Sequence, residues 1–419
     1  MTPPHAFETA KKRTEGIGTF ASLRHADYLY LWVGNLFNTS GMWIQQVTVG
    51  WLVWKLSGSA TLVGIASGLR FLPFLFMGPL GGVAADRMDR RRLLLMTQLL
   101  TAVAAVLFAV VVALDWVRVW HALVFSLVMG CGVAMNAPVR QSLIVNTVPR
   151  EELGNAVALH ATAINATRVI GPAIGGVLIV TLGMAGNFLL QAGLYLCTVA
   201  IIFPMQVPYR DPLSASKESA LRSLQEGIRY IWNDKSLFGM MLLSFIPALF
   251  VMPILQIMPA FTEDVLHAQA NIYGYLITSY GVGALAATLT MASFGNVIRS
   301  GSLGIAALLA SAVFVIFFSQ CTWLWAAFFL LAATGFCVLI FRVNNTTLVQ
   351  AVVPDALRGR VMSLYQIDHA LMPLSSSALG ICADVFSVPA SIAASGVLCL
   401  LVTGGLLLGV KQIRDLRKL

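Results

Sequence analysis

The feature that most limits the fold of this sequence is a set of long stretches without a single Asp, Glu, Lys or Arg. Residues 93–114 and 385–410 each lack all four, and each is long enough for one crossing of a bilayer, which takes about 20 apolar residues in a helix. Residues 169–209 and 300–341 are about twice as long, with a break near the middle. These stretches predict a polytopic helical membrane protein. No segment alternates apolar and polar residues as a membrane β-barrel requires.

The rest of the chain divides in the same way into twelve predicted spans, near 29–54, 60–84, 93–113, 119–145, 156–182, 185–206, 237–262, 271–294, 300–319, 322–347, 360–384 and 388–410. The predicted fold class is an all-α membrane protein with twelve transmembrane helices in two six-helix bundles. The predicted parts are a cytoplasmic N-terminal segment (1–27), a first bundle (28–206), a linker (207–236), a second bundle (237–410) and a cytoplasmic tail (411–419).

The basic residues predict the orientation. The chain has 27 Lys and Arg against 18 Asp and Glu, and if the N-terminus is cytoplasmic, 21 of the 27 fall on cytoplasmic segments. Only Lys55 and Arg118 then lie outside. Because cytoplasmic loops of membrane proteins are enriched in Lys and Arg, we expect both termini in the cytoplasm of a bacterial cell and the protein in its inner membrane. The positive charge therefore gives no support to nucleic-acid binding.

The linker between spans six and seven becomes amphipathic after its first residues. Leu221, Leu224, Ile228 and Ile231 fall on one helical face, which predicts a helix at the inner surface of the membrane.

A repeat relates the two bundles at an offset of 205 residues. The segment Val148-Pro149-Arg150-Glu151-Glu152-Leu153-Gly154 corresponds to Val353-Pro354-Asp355-Ala356-Leu357-Arg358-Gly359, and Gly175 corresponds to Gly380. Two repeated six-span halves are typical of secondary transporters, whose binding site lies between the halves near the bilayer midplane.

The loop after span two, Gly82-Val83-Ala84-Ala85-Asp86-Arg87-Met88-Asp89-Arg90-Arg91-Arg92, resembles the signature loop of the major facilitator superfamily. In that family the loop closes the cytoplasmic side when the carrier opens outward. The resemblance implies gating roles for Gly82, Asp86, Arg87 and Arg90. Asp89 stands where the family usually has Gly.

Other segments resemble one branch of this family, the enterobactin exporters and macrolide efflux pumps. They are residues 41–46, 136–141, 168–176 and 354–362, and the resemblance extends from about residue 20 to 410. The run Gly171-Pro172-Ala173-Ile174-Gly175-Gly176 is also similar to the antiporter signature of span five, although Thr167 departs from it. The resemblance implies export.

Polar residues inside the spans are the candidates for substrate binding, because polar groups at lipid depth need partners or a wet cavity. In span one Asn35, Asn38, Thr39, Gln45 and Gln46 lie near one helical stripe, which either lines the central cavity or bonds neighbouring helices. The predicted substrate-binding residues are Asn35, Asn38, Trp43, Gln46, Asn136, Asn165, Arg168 and Asn344.

Asp368 is the only acid deep in a span, and His369 follows it. We expect this pair to exchange the coupling proton. One alternative is that Asp368 pairs with an arginine to hold the halves together. Another is that it belongs to the inner gate, since it lies about two helical turns from Arg360.

Four arginines also fall inside the spans. Arg140 and Arg342 lie near the inner ends of spans four and ten, where they either take part in the gate or reach the cytoplasmic interface. Arg70 and Arg168 lie too deep for that and need an anion, a carbonyl cluster or Asp368 as partner. Four arginines against one aspartate predict an anionic, polyphenolic or otherwise acceptor-rich substrate.

We therefore predict a proton-coupled exporter of small organic molecules such as a siderophore or drug, functional as a monomer in the lipid bilayer. The alternatives are an importer or facilitative carrier of an anionic metabolite, and a lipid or lysolipid flippase. We expect no enzymatic activity, cofactor or metal, since no nucleotide-binding loop, metal-ligand cluster or nucleophile–base pair is visible.

Overall fold

The computed structural model describes residues 18–74, 76–77, 89–206, 220–298, 301–365 and 368–409, and within these ranges the regular secondary structure is helical. The helices are α1 (Ala26–Ser57), α2 (Ala60–Phe71), α3 (Arg90–Ala113), α4 (Val119–Thr147), α5 (Leu153–Ile202), α6 (Ala220–Asn233), α7 (Lys235–Ile246), α8 (Ala270–Ile298), α9 (Gly301–Ser319), α10 (Leu324–Val352), α11 (Asp355–Tyr365), α12 (Asp368–Val385) and α13 (Val388–Gly409).

These helices confirm the predicted all-α membrane fold. Eight helical segments among the described residues are long and apolar enough to cross a membrane, and the segment that includes α5 contains two predicted spans. Span eleven differs from its prediction, because helical structure begins earlier, at Asp355, and is described as two helices, α11 and α12. Of span two, α2 and a few residues after it are described, and the rest lies outside the described residues.

The helices of spans five to seven are interrupted at two places, for reasons of backbone chemistry. Gly183 divides α5 with φ 72° and ψ 175°, a conformation that glycine adopts without the steric penalty of a Cβ. In span seven, α7 ends at Ile246, and short π-, 3-10- and α-helical turns continue to Val265. Pro247, Pro253 and Pro259 lie in those turns, and each lacks the N–H that a regular helix needs.

The ends of the bundle are named here by their turns. The Gly58 face carries the turns at Gly58, Gly183 and Ser387, and the Pro149 face carries those at Pro149 and Pro354. In the first half, aromatic packing joins three helices: Phe108 of α3 stacks on Phe125 of α4 with ring centroids 4.2 Å apart, and both meet Phe188 of α5 edge-on.

The two halves meet through two helix pairs that correspond under the repeat, α2 with α12 and α5 with α8. Glycines permit the close approach. A Cβ on Gly176 would lie 2.6 Å from the carbonyl oxygen of Ala270 and 3.0 Å from Cα of Gly274. A Cβ on Gly64 would collide with the carbonyl group of Ser376. Small residues at such crossings let two backbones touch within a membrane.

The linker contains α6, which packs against α11. Its Glu226 carboxylate accepts a hydrogen bond from the guanidinium of Arg360. Ile231 is buried, whereas Ile228 and Trp232 are exposed. The helix therefore has one apolar side chain in the protein core and others on its outer surface.

Candidate functional site: a cavity between the two halves

Two sets of contacts close the Gly58 face between the halves. Lys55 Nζ lies 2.6 Å from Glu263 Oε1, and Trp54 Nε1 donates to Glu263 Oε2 at 3.0 Å. Asp384, at the end of α12, accepts hydrogen bonds from Ser59 Oγ at 2.6 Å, the backbone N–H of Ala60 at 2.7 Å and that of Thr61 at 3.0 Å. These groups form the N-terminal end of α2, where a carboxylate is favoured by the unpaired N–H groups and the helix dipole.

Below this closure, about half-way along the helices, lies a cavity of about 330 Å³. Helices of both halves contribute to its wall. The first half supplies Met42, Trp43, Gln46, Arg70, Phe71, Phe74, Val133 and Arg168, and the second supplies Ala248, Met252, Leu255, Gln256, Ile277, Tyr280, Gly281, Arg342 and Met372. The volume is that of a pocket for a small organic molecule.

Three arginines line this cavity, and the described residues of its wall include no aspartate or glutamate. The guanidinium carbon of Arg168 lies 5.8 Å from the ring centroid of Trp43, in cation–π contact. Arg168 and Arg342 line this cavity from opposite halves. A bound anion would offset the cost of burying the Arg168 guanidinium, because a cation in a low-dielectric site is costly without a counter-charge.

Trp43 offers the cavity a hydrogen-bond donor as well as the face of its ring. Its Nε1 is buried and has no hydrogen-bond partner among the described residues. Gln46 is one helical turn from Met42 and accepts from Arg70 Nη1 at 3.4 Å. Trp43, Gln46 and Arg168 are thus the predicted binding residues that the structure brings together at the cavity.

The other predicted binding residues lie away from the cavity wall. Asn38 accepts from Gln98 Nε2 at 2.5 Å, and Asn136 bonds Thr97, so both join helices within the first half. Asn344 donates to the carbonyl oxygen of Ile340 in its own helix at 3.1 Å. Asn165 is half-buried on α5.

Asn35 is paired with an arginine inside the first half. Its Oδ1 lies 3.5 Å from Nη1 of Arg140. Arg140 is 5% exposed, and its Nε and Nη2 have no partner among the described residues. Arg140 is therefore packed within one bundle, whereas sequence reasoning left open that it reaches the membrane interface.

The predicted gating and proton-coupling residues are only partly described. Gly82, Asp86 and Arg87 lie outside the described residues. Arg90 donates to Asn146 Oδ1 at 2.7 Å, which joins α3 to α4. Asp368 and His369 begin α12, and their side chains lie outside what the structure describes.

Several residues of the site carried no recognised signal in the sequence. Gln256 and Tyr280 line the cavity from the second half, and Glu263 and Asp384 close the Gly58 face. A usable signal existed for the two acids, because each lies at the end of a predicted span and has no basic residue beside it in sequence.

The residues that line the cavity are suited to bind a small molecule through charge, hydrogen bonds and ring contacts. Within the part of the chain that the structure describes, no group of three His, Cys, Asp or Glu side chains could hold a metal ion.

Comparison with known proteins identifies the family. The model of the transmembrane secretion effector family matches residues 17–417. The staphyloferrin A transporter of Staphylococcus aureus is 26% identical over 87% of this chain and 91% of its own. The macrolide efflux protein A of Streptococcus pyogenes is 24% identical over 93% and 96%. The enterobactin exporter of Escherichia coli is 24% identical over 90% and 87%.

Solved structures show the same fold at low sequence identity. A bacterial homologue of the human lysosomal transporter Spinster matches with a TM-score of 0.75 at 15% identity, over 93% of this chain and 98% of that one. A D-xylose–proton symporter matches with a TM-score of 0.69 at 16% identity, over 91% and 96%.

Together with the family model matched over residues 17–417, the fold and the cavity between two repeated halves define a secondary transporter of the major facilitator superfamily. Within it, the chain belongs to the transmembrane secretion effector family, and it is a multi-pass membrane protein.

Proposed function

We propose that this protein exports small organic anions that carry a flat ring, by alternating access. The observation that carries the proposal is the cavity wall, where Arg70, Arg168 and Arg342 stand among aromatic rings. An anionic group pairs with guanidinium N–H groups in bidentate geometry, and a ring stacks on Trp43 or Tyr280.

The arginines come from both halves. Arg70 and Arg168 belong to the first half and Arg342 to the second, so an anion between them attracts both halves toward itself. Gln46 and Gln256 add neutral hydrogen bonds from the two sides. One chain supplies the whole wall, which favours a functional monomer. Transport by this route requires no chemical change in the cargo.

The proposed orientation places the Gly58 face outside a bacterial inner membrane and both termini in the cytoplasm. The distribution of basic residues supports it. In this orientation the structure is closed toward the outside, and the contacts of Glu263 and Asp384 form the external gate. The signature loop with Gly82, Asp86, Arg87 and Arg90 would form the gate on the opposite side, and Arg90 is tied there to Asn146.

Export rather than import is supported by the relatives. Two of the three named above are called an efflux protein and an exporter. Their names indicate a siderophore and macrolides as cargo, and we extend to this chain only the class of small organic molecules.

We further propose that protons drive the transport and that Asp368, with His369, exchanges them. Asp368 is the only acid deep in a predicted span, and a carboxyl group in half-dry surroundings can exchange protons near neutral pH. The test is Asp368→Asn, which should abolish uptake driven by a pH gradient while counterflow exchange of the cargo continues. Unchanged gradient-driven uptake in this variant would remove Asp368 from the mechanism.

The cargo class is tested with inside-out vesicles that contain the full chain. A panel of aromatic carboxylates, catecholates and lipophilic cations is offered with and without a proton gradient. The proposal predicts gradient-dependent uptake of the anions and no competition by the cations. Competition by cations but not by anions would contradict it.

A further inference from the structure

A second, much smaller pocket lies beside the main cavity on its Gly58 side. Its volume is about 20 Å³, enough for one water molecule or one ion of similar size. Arg70, Gln46 and Gln256 line both the pocket and the main cavity. Gln45, Ser67 and Ser126 complete the polar part of its wall.

Arg70 is the charged group of this pocket. It is 8% exposed, and its only hydrogen bond within the described structure is the one to Gln46 at 3.4 Å. The other residues described in the pocket wall are neutral. A buried guanidinium with so little compensation is unfavourable unless an anion stands near it.

The neutral residues around Arg70 also offer unused donors. Ser126 is 2% exposed and Gln256 is 7% exposed, and neither side chain hydrogen-bonds another described residue. Backbone and side-chain polar groups buried to this degree nearly always have a partner, either protein or a bound small species. Arg70, Ser126, Gln46 and Gln256 all line this one small volume.

We propose that this pocket binds a single small inorganic anion, chloride in the cell. The guanidinium of Arg70 supplies the charge, and Ser126 and the glutamine amides donate hydrogen bonds. A volume of about 20 Å³ admits a halide but not an organic carboxylate, which has room only in the main cavity.

The anion joins the two halves. Arg70 and Ser126 belong to the first half and Gln256 to the second. The halves also pack closely beside the pocket, because a Cβ added at Gly50 would lie 3.0 Å from the hydroxyl oxygen of Tyr273. An anion held by Arg70, Ser126 and Gln256 therefore binds best when the Gly58 face is closed. Chloride stabilises that closed state, and outward opening releases it or weakens its binding.

The test uses the purified full chain in detergent without any organic cargo. Sodium chloride or bromide replaces sodium gluconate at constant ionic strength, and the unfolding temperature is followed. The proposal predicts saturable stabilisation by both halides. Because a hydrogen bond to a charged group contributes about 1.5–3 kcal/mol, Ser126→Ala should weaken halide binding about tenfold or more, and Arg70→Gln should abolish it. Arg118→Gln, which removes an exposed arginine, is the matched control and should bind as the unchanged chain does.

A crystal soaked in bromide gives a second readout, with an anomalous peak expected between Arg70 and Ser126. Absence of that peak, or halide stabilisation that is equal in Ser126→Ala and the unchanged chain, would overturn the proposal and leave water as the occupant. If Arg70→Gln does not fold, Ser126→Ala and Gln256→Ala decide the question. Since no cargo is present, the result is independent of whether the chain exports organic anions.

Discussion

The carboxylate of Asp384 accepts a hydrogen bond from the backbone N–H of Ala60 at 2.7 Å. The two residues are 324 positions apart in sequence and belong to different halves. The same carboxylate caps Thr61 and Ser59. It thereby ties the end of α12 to the start of α2, directly beside the close packing of Gly380 on Ala60. Opening of the Gly58 face must break all three hydrogen bonds together.

We expect Asp384→Asn to shift the protein toward a state open at the Gly58 face. The amide cannot accept charge-assisted hydrogen bonds from three donors, so the closed state loses about 1.4 kcal/mol or more, a tenfold shift in the equilibrium. The measurement is the rate at which a membrane-impermeant thiol reagent, added at that face, modifies a cysteine introduced at Met42 in the cavity wall. The rate should rise several-fold.

Asp115→Asn is the control for this change. Asp115 is an exposed acid on the same face with φ 55°, a conformation that asparagine adopts readily. Equal modification rates in Asp384→Asn and Asp115→Asn would show that Asp384 does not hold the gate.

The Lys55–Glu263 pair should contribute less than Asp384. Both side chains are partly exposed, and such ion pairs contribute only about 0.2–1 kcal/mol. Glu263→Lys should open the face modestly through repulsion between two lysines, and the exchange Lys55→Glu with Glu263→Lys should restore most of the closure. The same accessibility assay measures it. A double variant no better than Glu263→Lys would contradict a direct pairing.

Gly176→Leu should prevent closure of the halves without unfolding either one. The added side chain would enter the space held by Ala270 and Gly274 of α8, and overlap with backbone cannot be relieved by a rotamer change. We expect normal expression and loss of transport, and a cysteine introduced at Met42 should be accessible from the Gly58 face. The control is Gly193→Leu, since a Cβ at Gly193 meets no neighbour within 4 Å. Full transport by Gly176→Leu would refute the close-contact argument.

The orientation can be tested with a cysteine already in the chain. Cys321 lies in the turn between α9 and α10 and is partly exposed. In the proposed orientation this turn is outside, so intact cells that carry the Cys382→Ser variant should be labelled by an impermeant maleimide, and Cys321→Ser should abolish the signal. Labelling only after the membrane is permeabilised would reverse the orientation.

The positions of the spans could be predicted from the sequence because a charged residue is costly anywhere in lipid. Arg70 and Arg168 stood out for the same reason. The break at Gly183 could be predicted because glycine is common at turns. The stripe of span one was harder to interpret. Asn35 and Gln46 share one side of α1, but Asn35 is covered by Arg140 whereas Gln46 reaches the cavity. Helical periodicity gives the direction of a side chain and not the neighbour that covers it at each depth.

The sequence places the two acids of the Gly58 face at the ends of predicted spans, but it does not predict their partners. Asp384 and Glu263 act on residues far away in sequence, and such pairing depends on how the two halves dock. Span seven could be recognised as a span, but the irregular turns that bring Met252 and Gln256 to the cavity follow from three prolines whose combined effect depends on packing.

Whether the cavity binds an anionic cargo through Arg168 is tested by proton-driven uptake of an aromatic carboxylate into inside-out vesicles. Three proteins are compared: the unchanged chain, Arg168→Gln and Arg118→Gln. Arg168 faces the cavity and stacks on Trp43, whereas Arg118 is exposed at the Gly58 face. We expect uptake by the unchanged chain and by Arg118→Gln, and a loss of about tenfold or more in Arg168→Gln, because a charge-assisted contact to the cargo is removed. Equal uptake by all three proteins, or uptake of lipophilic cations in place of the carboxylate, would contradict it.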